Sequence, residues 1–443
     1  MNNMTEGSIL KGVVRFAIPC IISNVLQNLY NIVDSVIVGK SDGTAALAAV
    51  GASGSLINLF LTTVTGFACG FAICAGKRYG AGDRKGLRGV FANGLLLVLA
   101  VSLMLSVLGA VFARDMLVIM NTPGEILEEA TGYLLVIFFG MGFNLVYSYL
   151  CEMLRGIGNS KMPLYFLIAS SILHLVLILV FLFGFSMGVV GAALSTVLSQ
   201  AFAVAICWVY LFRRVPEYRI SLRDLRPRRE ILAEGLRIGG PMAVTNFVVM
   251  FGVIILSFVT NGIGTEYVAA YSTASRVGYI VTTPLFGFAS ALSVFVAQNL
   301  GVGNLPRIRE GVRKTLLFTT GVDTVLLVIF LFATRPLLSF LLNGEPVAVE
   351  AGTTYLLIRC FAMVVLAPAA CLKNVLNSLG KTLFPTISGF CEVGIRYLVP
   401  IALSGRLGFV SVPLTDVAAW LFLAVFLEIG YIRESRSLTL ITK

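Results

Sequence analysis

Charge is scarce in this chain. Asp, Glu, Lys and Arg supply 12% of its 443 residues, where soluble domains carry about 25%. With 58% hydrophobic residues and a mean hydropathy of +0.93, that shortage excludes a water-soluble globular domain and implies a polytopic membrane protein. Histidine occurs once, at His174. HExxH, a Cys/His metal cluster, Walker A and GxSxG are all missing. Zinc hydrolysis, nucleotide hydrolysis and Ser-hydrolase chemistry therefore have no sequence support. The eight cysteines (Cys20, Cys69, Cys74, Cys151, Cys207, Cys360, Cys371, Cys391) form neither CxxC nor a metal-ligand spacing. Lying in apolar segments, they read as small apolar filler. The GxG turns at Gly80/Gly82 and Gly301/Gly303 lack the strand and the Lys-Ser/Thr pair of a phosphate loop. They read as tight turns that need a permissive backbone. No cofactor or metal is expected.

What is present is long apolar segments. Twelve lie near 14–38, 52–76, 89–112, 130–154, 163–184, 188–212, 236–260, 276–299, 314–334, 352–377, 383–404 and 409–432. About 20 residues suffice to cross a bilayer as a helix. The first segment is too long for a signal-peptide core and reads as a retained helix. The net charge of +11 resides in particular loops, so it reports topology and not nucleic-acid binding. One side receives Lys11, Arg15, the 77–88 loop, Arg155, Lys161, the Arg-rich 213–237 connection, Arg307, Arg309, Arg313, Lys314, Lys381 and the tail (Arg433, Arg436, Lys443). The other receives Lys40, Arg114, Arg335 and Arg406. The positive-inside rule then puts both termini in the cytoplasm, with the chain in the inner (plasma) membrane.

The chain repeats itself. A shift of 222 residues carries Pro19 onto Pro241, Asn24 onto Asn246, Gly158 onto Gly380 and Pro163 onto Pro385. With a one-residue slip, 66–88 lies over 287–309. The expected fold class is all-α: twelve transmembrane helices in two six-helix bundles related by a pseudo-two-fold axis along the membrane normal. The expected domains are 1–212, a cytoplasmic linker 213–235, and 236–443. The linker mixes Arg with Glu217, Asp224, Glu230 and Glu234. It reads as a solvated connection, with lipid-headgroup binding or regulation as the alternative.

Polar residues inside the apolar segments are the candidates for function. In the first segment, Asn24, Gln27, Asn28, Asn31, Asp34 and Ser35 share one helical arc, which is expected to face protein or a water-filled cavity. Under the repeat, Asn31 becomes Val253 and Asp34 becomes Leu256, so a carboxylate that handles an ion belongs to the first half. His174 lies mid-segment, where it either exchanges protons near neutral pH or serves as a hydrogen-bonded packing residue. Glu392 and Arg396, at i,i+4, either pair internally or neutralise each other for insertion. Asp323, Arg359 and Asp416 read as structural or rim residues near helix ends, where snorkelling lowers their cost. Glu152 is expected to pair with Arg155.

The runs MTEGSILKGVVRFAIPCIISNVLQNLYNIVDSVIVGK…AALAAVGASG, LRGIGNSKMPLY, GVVGAALSTVLSQ, AAYSTASR and FVAQNLGVGN resemble those of multidrug and toxic compound extrusion (MATE) transporters. The resemblance covers the whole chain. It implies two bundles forming a V-shaped cavity that opens alternately to either side, and export of organic cations driven by protons or sodium. It places the family's first-helix Asp at Asp34, its helix-bending proline at Pro19 and its helix-six Thr at Thr196. The fifth-helix pattern SSxxNIVLDxxF becomes SSILHLVLILVF here, so the network Asn is His174 and the network Asp is Ile178. An acidic residue that some sodium-coupled members carry in helix seven is missing too. Proton coupling is thereby favoured over sodium.

The expected function is a secondary active efflux antiporter. Asp34, His174 and Thr196 would form the ion-coupling group. Gln27, Asn31, Asn24, Asn246, Glu392 and Arg396 would line the cavity. Its partners would be an organic cation, a proton and the lipid bilayer. A flippase for a lipid-linked precursor is the alternative, drawing on Arg276, Arg359, Lys373 and Arg396 for a pyrophosphate headgroup. An integral-membrane enzyme would need a converging acid/base or metal group, for which one Asp and one His are thin support.

Overall fold

A computed structural model describes residues 3–41, 43–119, 122–221, 224–261 and 265–441, and no strand occurs among them. Its helices are α1 Ile9–Ser41, α2 Gly43–Gly80, α3 Arg84–Ile119, α4 Gly124–Gly156, α5 Lys161–Leu179, α6 Gly188–Arg214, α7 Arg229–Asn261, α8 Thr265–Val302, α9 Leu305–Leu341, α10 Pro346–Ser378, α11 Leu383–Leu407 and α12 Ser411–Ile441. A π-helical turn, Val180–Gly184, extends α5. Ten spans among the described residues are long and apolar enough to cross a membrane, the last of them covering α11 and α12 together. Of the twelve helices α7 is not among these spans. The side chains of Val253, Leu256, Arg436 and Lys443, and residue Arg223, lie outside the described residues.

Helix is the only regular structure that can satisfy each backbone N–H and C=O within one segment in hydrocarbon. The chain punctuates these helices with glycine. Gly82 and Gly303 both adopt positive φ, at 71° and 79°, and so do Gly158 and Gly380, at 84° and 75°. These are repeat-related turns, and a left-handed backbone there is cheap only without a Cβ. Pro19 and Pro241 both lie inside helices, where each removes one backbone hydrogen bond.

The chain forms two compact units. One is built mainly from Ile22–Ala243, the other from Met4–Ile21 and the chain from Val244 on. The first halves of α1 and α7 therefore belong to a different unit from their second halves.

Within the first unit, α7 crosses α2 at glycines spaced by four on both helices. A Cβ on Gly70 would sit 2.3 Å from Gly239 Cα, and one on Gly66 would sit 2.4 Å from the Ala243 nitrogen. A Cβ on Gly239 would fall 2.9 Å from Phe67 Cα. Small residues let the backbones touch, which is the main source of helix association where lipid removes the hydrophobic drive. Near this crossing, Arg78 donates to Glu234. Burial disfavours the Glu234 carboxylate, but the Arg78 guanidinium holds it below its ordinary range.

Within the second unit, Val13, Phe16, Ala17 and Cys20 from the start of α1 join Phe288, Ala289, Leu292 and Phe295 of α8 in a buried core. The residues before α1 are tied down as well. Met4 donates its backbone N–H to Gln298 Oε1 at 3.0 Å. Asn299 donates to the Met4 carbonyl at 3.1 Å, and Arg307 donates to the Gly7 carbonyl at 2.9 Å.

The glycine crossing is testable. Gly70→Leu or Gly239→Val should overpack it at a cost of roughly 1–3 kcal/mol, seen as a lower melting temperature of the purified protein in detergent. Gly54, which has open space around its missing Cβ, should accept Ala without loss. Equal melting of Gly70→Leu and the parent would show that the crossing is not tight.

Candidate ion-coupling site

Three helices of the first unit bring the candidate group together. Asp34 lies in the second half of α1, with 17% of its side chain exposed. His174 lies on α5 and is completely buried. His174 Nε2 and Asp34 Oδ1 stand 3.0 Å apart. Tyr30, one turn before Asp34 on α1, packs its ring 4.6 Å from the imidazole at 50°. Its hydroxyl faces the side chains of Thr196 and Ser199 on α6. Tyr133 of α4 approaches Asp34 from another side. Beneath this group lies an apolar floor of Val38, Ile137, Ile178, Leu182 and Val189.

The geometry restricts where protons can sit. The other imidazole nitrogen, Nδ1, is buried without a hydrogen-bond partner. A carboxylate at Asp34 needs Nε2–H as donor, which leaves Nδ1 bare; a neutral carboxyl would instead donate to Nε2, which leaves the imidazole proton on Nδ1. Either state places one proton on the Nε2···Oδ1 line. The more protonated state therefore carries a donor at buried Nδ1 without a partner, at a cost of about 1–3 kcal/mol. The two states differ by one proton, and the imidazole side of the pair is closed to water. An unpaired charge at mid-bilayer costs about 2.5–3.5 kcal/mol on insertion scales, and this hydrogen bond offsets part of it.

The remaining expected residues are placed as follows. Thr196 reaches the group through Tyr30, while its own hydroxyl donates to the Ala192 carbonyl at 3.2 Å. Gln27 and Asn31 are exposed, and Asn24 and Asn246 are half-buried. Asn246 belongs to the second unit and Asp34 to the first. Pro19 is buried inside α1. Glu152 and Arg155 form the expected local pair.

Glu392 and Arg396 pair within α11 at 3.1 Å. They belong to a larger network in the second unit. Arg396 also contacts Asp416 of α12 at 2.9 Å. Arg359 of α10 reaches the other Asp416 oxygen at 3.3 Å and lies 5.0 Å from the Trp420 ring. Tyr355 donates to Asp416 at 3.3 Å. Of the structural and rim readings of Arg359, Asp416 and Asp323, burial therefore supports the structural one, and Asp416 does stand near the start of α12. Asp416 is 1% and Asp323 3% exposed, and the Arg359 side chain is 15% exposed. Asp416 is held by cations from two other helices, which position along the chain does not reveal.

Sequence reasoning also missed Tyr30, Tyr133 and Ser199. Only Tyr30 left a signal, standing four residues before Asp34 and so on the same helical face.

A family model described as MatE matches residues 19–180 and 241–401, the two halves of the internal repeat. The chain is 29% identical over 409 residues to the probable multidrug resistance protein YoeA of Bacillus subtilis, covering 90% of this chain and 88% of that one. It is 22% identical to the multidrug export protein MepA of Staphylococcus saprophyticus, covering 92% and 90%. A crystal structure of MATE in complex with MaL6 has the same fold, with a TM-score of 0.91 at 22% identity over 99% of this chain and 98% of that one.

The contact between α1 and α5 makes a structural prediction. His174→Phe should leave Asp34 without its hydrogen-bond partner and cost about 1–3 kcal/mol. His174→Asn keeps an amide donor at the same position. The melting temperature should therefore fall further for His174→Phe than for His174→Asn. Equal melting of the two variants would show that the hydrogen bond contributes nothing.

Proposed function

The chain belongs to the MatE family, and from that premise we propose that it is a secondary active efflux antiporter for organic cations, coupled to protons through Asp34 and His174. The observation that carries this reading is the 3.0 Å contact between His174 Nε2 and Asp34 Oδ1. It would hold one exchangeable proton in the first half, with Tyr30, Thr196 and Ser199 as hydroxyl neighbours. The named relatives support the substrate class, since YoeA and MepA are described as multidrug resistance and export proteins.

The proposed topology is twelve spanning helices in the inner membrane, with both termini cytoplasmic. The repeats 1–212 and 236–443 would form two bundles joined by 213–235, working by alternating access. The compact units differ from these repeats by exchanging the first halves of α1 and α7. A transmembrane potential of 100 mV supplies about 2.3 kcal/mol per charge moved, enough for one proton to drive a modest cation gradient.

Two observations weigh on the alternatives. The position where the family pattern has a second carboxylate is Ile178, fully buried in the apolar floor, which leaves few oxygen ligands for sodium. Arg359 and Arg396 are matched by Asp416 and Glu392 inside the protein. Their charge is thereby neutralised internally, which disfavours a pyrophosphate-binding flippase.

Proteoliposomes with separately imposed proton and sodium gradients test the coupling. Ethidium should be driven by the proton gradient alone, and Asp34→Asn should lower that transport more than about tenfold, the effect of losing roughly 1.4 kcal/mol, with normal insertion. His174→Asn should alter the pH profile. Undiminished transport by Asp34→Asn, or transport driven by sodium without a proton gradient, would sink the assignment.

A further inference from the structure

One buried acid in the second unit takes no part in the arrangement described so far. Asp323 stands at the midpoint of α9, eighteen residues from either end of Leu305–Leu341. It is 3% exposed. Asp416 and Glu392, the other acids buried in the described part of this unit, are each held by an arginine. Asp323 has no such cation among the described residues, and its Oδ2 has no hydrogen-bond partner.

Its surroundings are polar in one direction only. Thr315, Thr319 and Asp323 recur every four residues and form one stripe along α9. Thr315 is 0% and Thr319 1% exposed. The Thr319 hydroxyl donates to its own helix at the Leu316 carbonyl, 3.0 Å away, so its lone pairs stay available. The Thr315 hydroxyl has no partner. From α10, the Cys371 thiol meets the Thr319 hydroxyl and lies within electrostatic reach of Asp323. From α8, Phe288 packs edge-on against Phe318 at 5.5 Å. Toward its N-terminal end, the stripe runs to the end of the unit where α10 finishes with Asn374, Asn377 and Ser378. There the Asn377 Oδ1 is also buried without a partner, and Ser378 and Ser293 share a hydrogen bond at 2.8 Å.

We propose that Asp323 is a second proton-carrying site, separate from the Asp34–His174 pair, reached along the Thr315–Thr319 stripe from the N-terminal end of α9. The proposal rests on reading the chain as a proton-coupled transporter. An uncompensated buried carboxylate costs several kcal/mol even after relaxation. Its charge is matched by a cation side chain, a bound metal ion or a proton, and the first is missing among the described residues. A sodium ion would need several oxygen ligands, and among the described residues no group of three or more His, Cys, Asp or Glu side chains gathers to hold a metal ion. A proton needs no ligand shell. Hydroxyls one turn apart, bridged by transient water, suffice to bring it in and out.

The test uses full-length protein in lipid nanodiscs and does not depend on transport. Infrared difference spectra are recorded on a pH step for the parent, Asp34→Asn, Asp323→Asn and Asp323→Glu. A protonated-carboxyl carbonyl band that responds to the step should persist in Asp34→Asn, vanish in Asp323→Asn and return shifted in Asp323→Glu. In proteoliposomes, Asp323→Asn should export ethidium with one proton fewer per cation. Identical spectra for the parent and Asp323→Asn would overturn the proposal. So would a band that ignores bath pH, which would mark a static structural acid, or a band displaced by sodium chloride at fixed pH, which would mark a metal-ion site. Failure of proton-driven ethidium export in the parent would instead overturn the transport reading and leave the infrared result standing.

Discussion

A charge placed among packed helices in a membrane needs a partner, and the interior of this protein is arranged around that requirement. Three acidic centres, one half-buried and two buried, differ in how they answer it. Asp34 has a base, His174, at hydrogen-bonding distance. Asp416 is shared by two permanent cations, Arg359 and Arg396, with Glu392 on the far side of Arg396. Asp323 has no cation at all among the described residues. The chemistry differs accordingly. An imidazole can gain or lose a proton near neutral pH, while a guanidinium cannot.

The internal repeat gives this contrast a simple origin. The 222-residue shift carries His174 onto Arg396 and Tyr133 onto Tyr355. Equivalent positions in the two halves thus hold a titratable base in one and a fixed cation in the other. In both halves the tyrosine stays near the carboxylate, approaching Asp34 in the first and donating to Asp416 in the second. Breaking a buried pair by removing one partner is destabilising by about 3–5 kcal/mol, so the arginine network acts as a permanent tie. The Asp34–His174 hydrogen bond, by contrast, can form with either partner as the donor.

Close backbone packing supports these centres. Gly66 and Gly70 against Gly239 and Ala243 bring α2 and α7 together at distances no side chain would permit. The same economy of side chains appears where α1 enters the second unit, with Gly287 of α8 against Ile21 and Ala17. Such contacts replace hydrophobic drive with dispersion between backbones. They also leave the polar stripe of α1 free to lie elsewhere: Asp34 meets α5, while Gln27 and Asn31 remain exposed.

Much of this was legible without coordinates. Apolar segments and scarce charge determined an all-helical membrane protein, because hydrocarbon tolerates little else. The repeat was written in matching Pro, Asn and Gly positions, and the tight turns in GxG pairs whose second members, Gly82 and Gly303, adopt positive φ, while Gly80 and Gly301 lie in the last turns of α2 and α8. Asp34 and His174 stood out because ionisable residues inside apolar segments are costly. The family resemblance grouped the two residues, and the tertiary structure put them in hydrogen-bonding contact although they are 140 positions apart along the chain. It alone showed that Asp416 sits between two arginines and that Asp323, among the described residues, sits with none. Burial and partnership depend on which face of each helix meets which neighbour, and the order of residues along one helix does not contain that information.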